Sequence, residues 1–94
     1  PNSFRDTGLL DYLKENDITE VVITGMMTNM CVDSTTRAAF DFGYRCTVIG
    51  DACAAKELEI NAKTVKADDV HHAFLAALAF LYAEIKSTED FLKV

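Results

Sequence analysis

The sequence predicts an α/β domain built on a parallel sheet. Two observations carry that prediction. Val21-Val22-Ile23-Thr24 and Cys46-Thr47-Val48-Ile49 are short, β-branched, nearly all-apolar runs without alternation, the pattern of strands covered on both faces. Around and between them, apolar residues recur at helical spacing. Strands joined through helices run parallel, with helices on both faces of the sheet.

Each element follows in order. Thr7 is placed to cap a first helix, in which Leu9, Leu10 and Leu13 share the inner face and Asp11, Lys14 and Glu15 lie outside. Asn16-Asp17 ends it. The first strand follows and is stopped by Gly25. Thr28 or Asn29 caps the next helix, which runs through Ala38-Ala39-Phe40 to Gly43, a left-handed C-terminal position. The second strand ends at Gly50-Asp51. Residues 51–64 have a weak pattern and read as a loop with one short helical turn. Asp68 caps the strongest helix, where His71, Phe74, Leu75, Leu78, Leu81 and Tyr82 fall on one face. Ala73, Ala76 and Ala77 keep its flanks narrow. Residues 83–86 read as a last strand, and Thr88 starts a short helix through Phe91-Leu92.

Composition excludes several function classes. With 15 acidic against 9 basic residues the chain carries a net charge of −6, so no basic stripe is available for nucleic acid or an anionic membrane. The apolar-rich stretch 70–85 is broken by His71, His72 and Glu84 and is too short and polar to span a bilayer. One Pro and 4 Gly in 94 residues exclude a disordered or collagen-like chain. The chain opens with Pro1 and shows no secretory leader pattern. Cys31, Cys46 and Cys53 form no C-x-x-C pair, so reduced cytoplasmic thiols are expected in place of disulfides or a zinc site. No cofactor-binding pattern occurs. Two firm strands and one short one fall below the five to six of an average sheet. At about thirty residues per β-α-β unit, the chain reads as the C-terminal part of a larger domain.

The segment with the strongest chemical signal is Gly25-Met26-Met27-Thr28-Asn29-Met30-Cys31-Val32-Asp33, between the end of a strand and the start of a helix. Open parallel sheets place ligands there. In the first helical turn, unsatisfied N–H groups and the helix dipole favour a thiolate at Cys31, and the neighbouring N–H groups can hold an oxyanion. A free cysteine is also commonly a small buried core residue, and topology leaves both readings open.

The same segment, with Thr35-Thr36-Arg37-Ala38-Ala39 and Gly43-Tyr44, resembles the nucleophile region of the isochorismatase-like cysteine hydrolases, a superfamily that includes nicotinamidases and N-carbamoyl amidohydrolases. Asn2-Ser3-Phe4 with Thr7 and Leu9-Leu10 is similar to the element after that family's catalytic lysine. Val48-Ile49-Gly50-Asp51-Ala52-Cys53-Ala54 resembles its next strand and acidic turn, and Val70-His71 with Leu75 and Leu78 its late helix.

The resemblance covers nearly the whole chain. It implies a three-layer αβα, Rossmann-like fold in which residues 1–94 are the C-terminal half of a single isochorismatase-like hydrolase domain. It further implies that Cys31 is the nucleophile and that the Met26-Met27 peptide is cis, aiming the Met27 N–H, with that of Cys31, at a substrate oxyanion. Phe4 and Met30 are the candidate substrate-binding residues. The family's aspartate and lysine have no match in these residues, and its metal ligands, where they occur, also lie outside them.

A retained cysteine points to C–N hydrolysis of a small amide or carbamoyl-type substrate through a thioester. Members that cleave the vinyl ether of isochorismate need no thiol. The competing expectation is a non-catalytic oligomerising or binding module that keeps the fold. A redox role is disfavoured by the missing C-x-x-C partner. Partners expected are the small amide, the chain's own N-terminal half and copies of itself. Among other residues, His71 is expected to be packed and hydrogen-bonded, Asp51 to serve a turn or cap, Cys46 to be core and Cys53 to pack near a strand end. Met26, Met27 and Met30 are a soft apolar cluster suited to a pocket or a subunit contact.

Overall fold

A computed structural model describes residues 1–93. The domain boundary expected at Val94 lies outside the described residues. The order of elements is α1 (Leu9–Glu15), β1 (Glu20–Met26), a π-helical turn (Thr28–Val32), α2 (Asp33–Asp41), β2 (Arg45–Ala54), β3 (Leu58–Ile60), β4 (Lys63–Val65), α3 (Ala67–Leu81), β5 (Glu84–Lys86) and α4 (Thr88–Leu92). The main sheet has the order β1-β2-β5, and both its pairings are parallel, as the unbroken apolar strands predict.

Val21 pairs with Cys46 and Ile23 with Val48. Residues paired in register share a face, so these four project together. Two clusters cover them. Leu13 of α1 and Ala39 of α2 join Tyr44 and Cys46, while Leu75 and Leu78 of α3 join Val32 and Val48. Alternation turns Val22 to the opposite face, where it is 48% exposed. Among the described residues, α1, α2 and α3 thus pack their buried side chains on one side of the sheet. Arg37 of α2 holds Asp33 through Nε at 3.0 Å and lies over the Tyr82 ring at 4.7 Å, which ties α2 to the end of α3.

Several element ends differ from the pattern-based expectation, for local reasons. Gly25 does not stop β1, which runs on to Met26. Its φ of +131°, a value open to glycine, coincides with a break in register between Ile23 and Gly25. β2 likewise continues past Gly50-Asp51 to Ala54. It leaves β1 after Val48 and rejoins it at Cys53, so residues 49–52 of β2 stand opposite the single Thr24 of β1, while Ile49 stays paired with Lys86 of β5.

The expected loop with a helical turn is instead an antiparallel hairpin of β3 and β4. Its two linking residues, Asn61 and Ala62, both have positive φ, 51° and 60°, as a tight two-residue turn of type I′ requires. Alanine in place of the usual glycine hides this turn in the sequence. Gly43, at φ +97°, occupies the left-handed position after α2 as expected.

The caps also differ. The α1 N-cap is Gly8, although the Thr7 hydroxyl still accepts from the Leu9 N–H at 3.2 Å. Lys66 precedes α3, and Asp68 lies within its first turn. Val70 replaces the 58%-exposed Leu81 as a buried residue of that helix.

Asp51 takes the structural role expected of it. In the stretch of β2 that is not paired with β1, its Oδ1 accepts from the Thr88 N–H at 2.8 Å and from the Thr88 hydroxyl at 2.7 Å, capping α4 from another element. These bonds hold the carboxyl below its ordinary value of 3.8. A carboxyl depressed in the folded state stabilises the protein above its unfolded-state pKa, and that contribution is lost as pH falls through the lower folded value. Acid titration of stability is therefore expected to be shallower in Asp51→Asn than in the parent below about pH 4. Denaturant midpoints of the two proteins between pH 2 and 6 check this, and parallel curves would remove Asp51 from the acid response.

Candidate active site

β1 delivers the chain to the C-terminal edge of the sheet, and the π-helical turn and α2 carry it back as one continuous helical stretch over residues 28–41. Cys31 lies in the first turn of that stretch and is exposed. The other two cysteines contrast with it. Cys46 is buried in the core and Cys53 half-buried, and burial pushes both thiols up.

The Met26-Met27 peptide is cis. Met27 lies after β1 and before the helical turn, so its N–H belongs to neither element's hydrogen-bond ladder. Its carbonyl accepts from the N–H groups of Met30 and Val32, at 3.0 and 3.2 Å. That double acceptance shapes the wide turn, a feature frequent at functional sites.

Thr28 and Asn29 do not act as the expected helix caps, since no side chain caps the turn. The Thr28 hydroxyl, fully buried, instead meets Nδ1 of His71 on α3 at 2.8 Å. His71 is thus packed and hydrogen-bonded, as expected. Oδ1 of Asn29 is buried with no hydrogen-bond partner among the described residues.

A small cleft of 100 Å³ beside Cys31 is lined by Met26, Gly25, Ser3 and Thr35. The N-terminal segment is fastened there: the Ser3 N–H donates to Thr35 Oγ1 at 3.0 Å, and the Thr35 hydroxyl lies 3.1 Å from Ser3 Oγ and 3.3 Å from the Pro1 carbonyl. Ser3 and Thr35 were legible only as parts of longer motifs. Thr35, four residues after Cys31, shares its helix face, and that spacing is the signal that marks it.

Neither of the two candidate substrate-binding residues lines this cleft itself. Phe4 sits edge-on against Phe42, ring centroids 5.2 Å apart, and packs on the Leu13 cluster. It lines a neighbouring 280 Å³ groove along the outer edge of β1, which shares Ser3, Ile23, Thr24 and Thr35 with the Cys31 cleft. Met30 is 43% exposed on the turn and faces neither recess. Small-molecule sites commonly measure about 300–1,000 Å³, and the Cys31 cleft by itself is smaller than that. Among the described residues no helix is long and apolar enough to cross a membrane, and no three metal-ligating side chains converge.

The parallel sheet, with an exposed cysteine at its strand-to-helix junction, is that of a Rossmann-like α/β domain. The chain belongs to the isochorismatase family: the isochorismatase domain matches residues 1–90. YddQ of Bacillus subtilis, an isochorismatase family protein, is 50% identical over 93 residues, which is 99% of this chain and 52% of YddQ. The nicotinamidase of Escherichia coli is 34% identical over 79 residues, 81% of this chain and 34% of that protein. The crystal structure of an isochorismatase from Pseudomonas putida superposes with a TM-score of 0.92 at 32% identity, covering 96% of this chain and 46% of that one. The chain thus spans about half the length of YddQ and of the Pseudomonas putida chain.

Proposed function

We propose that this chain is the C-terminal half of a cysteine hydrolase that cleaves a C–N bond of a small amide or carbamoyl-type substrate through a thioester. One observation carries the reading. Cys31 is the exposed cysteine of the three, and it stands where the strand end opens into a helix. Similarity to a nicotinamidase supports an amide as the substrate class.

In this reading a carboxylate supplied by residues outside this chain accepts the Cys31 proton. The thiolate adds to the amide carbonyl, and the N–H groups of Met27 and Cys31 stabilise the oxyanion. Collapse of that adduct breaks the C–N bond, and the nitrogen leaves with a proton as ammonia or an amine. Water then hydrolyses the thioester and restores the thiol. The bare sheet face at Val22 and the groove along β1 suit cover by the N-terminal half, which would also complete the substrate pocket. Phe80, exposed at the end of α3, is the surface such a protein would bury in a homo-oligomer.

The test uses the full-length protein with a panel of small primary amides and carbamoyl compounds. Ammonia release is expected, together with an acyl group on the Cys31 peptide in acid-quenched reactions examined by mass spectrometry. Turnover with an acyl group on no cysteine would overturn the thioester route. No turnover of any amide, in a protein that assembles normally, would favour a non-catalytic binding role.

A further inference from the structure

We infer that His71 is a positioning residue for Cys31, acting through the buried Thr28 hydroxyl; the inference rests on the cysteine-hydrolase reading above. Thr28 follows Met27, the proposed oxyanion donor, and precedes the nucleophile by three residues. At the start of a helix a threonine hydroxyl ordinarily caps an N–H of its own first turn. Here it caps nothing on its own element and is spent on Nδ1 of His71, 43 residues away in sequence, at 2.8 Å.

The bond ties a wide, irregular turn to a regular support. α3 is anchored by Val70, Leu75 and Leu78, all buried, and His71 is the residue after Val70. Thr28 is fully buried, so water does not compete for its hydroxyl, and an orphaned partner at that depth carries a desolvation penalty. In either tautomer the pair keeps one hydrogen bond, with the hydroxyl donating to Nδ1 or accepting from it. His72, which meets the His71 ring edge-on at 5.2 Å, does not compete for Thr28, since its own Nδ1 lies 2.8 Å from the Asp68 carbonyl oxygen. Functional groups must be held within fractions of an ångström, and a misplacement of about 1 Å costs on the order of 100-fold in rate.

The test separates hydrogen bonding from packing. In the full-length protein, His71→Leu and Thr28→Val each delete the bond while keeping bulk, and His71→Asn places an amide where Nδ1 stood. Two readouts are taken: alkylation of Cys31 by iodoacetamide, followed by peptide mass spectrometry, and kcat and KM for the best amide of the panel. His71→Leu and Thr28→Val are each expected to alkylate at an altered rate and to lose about 10- to 100-fold in kcat, with KM changed less. The double variant is expected to match the singles, not their product, and His71→Asn to restore most of the rate.

Wild-type behaviour of His71→Leu and Thr28→Val, or equal losses in His71→Asn and His71→Leu, would overturn the inference. Activity that survives Cys31→Ser would overturn the underlying hydrolase reading instead, and the alkylation result would still report whether the Thr28–His71 bond holds the turn.

Discussion

Replacing Cys31 with serine in the full-length protein is expected to lower amide turnover by about 10³- to 10⁶-fold, the range seen when a nucleophile is removed from an acyl-transfer site. That corresponds to about 4–8 kcal/mol of lost transition-state stabilisation. The loss is chemical in origin. A hydroxyl placed where the thiol stood is far less ionised at neutral pH and adds more slowly to an amide carbonyl. Stability is expected to stay within about 0.5 kcal/mol, because Cys31 is exposed and outside both core clusters. Steady-state ammonia release and a urea titration on the same preparation therefore read the two effects separately. Unchanged turnover in Cys31→Ser would sink the thioester route. If Cys31→Ser lost amide activity yet hydrolysed a vinyl ether at the parent rate, the thiol would be confirmed for C–N cleavage alone, since vinyl ether hydrolysis forms no acyl-enzyme.

The layout of the fold was legible because its strands are unusual. Val21 to Thr24 and Cys46 to Ile49 are apolar without alternation, and both proved to be paired in a parallel sheet. The ends of those strands were not legible. β2 leaves its neighbour at Val48 and resumes pairing at Cys53, and no local signal separates such an interruption from a true end. The hairpin of β3 and β4 was hidden because its turn uses Asn61-Ala62, an alanine in left-handed conformation where glycine would have announced the geometry.

At the site, the position of Cys31 followed from strand-then-helix order, while its exposure, which topology left open, is a finding of the structure. The partnership of Thr28 with His71 did not follow from that order either. Both residues have ordinary local explanations, as a cap and as a core histidine, and only tertiary packing brings them within 2.8 Å. Phe4 combines both readings of its place in the chain: its ring packs on Phe42 and the Leu13 cluster, and it also lines the groove beside the Cys31 cleft.

The second large effect is expected in the core beneath the site. Leu78→Ala should destabilise the full-length protein by about 2–5 kcal/mol, the usual range for a fully buried leucine whose cavity collapses only in part. Leu78 is 0% exposed and packs with Val32, Val48 and Leu75. Val32 is the residue after Cys31, so the cavity opens directly under the nucleophile turn. The change is a large share of the 5–15 kcal/mol that holds a typical domain together. Leu81→Ala is the matched control. The helical stripe in the sequence places both leucines on one face, but the structure leaves Leu81 58% exposed at the end of α3. Denaturant midpoints should fall steeply for Leu78→Ala and by no more than about 0.5 kcal/mol for Leu81→Ala. Equal losses would mean that the rest of the protein covers Leu81, and would locate a contact of the N-terminal half or a second copy on that end of α3. A negligible loss for Leu78→Ala would contradict the packing of α3 on β2, and with it the support proposed for the Cys31 turn.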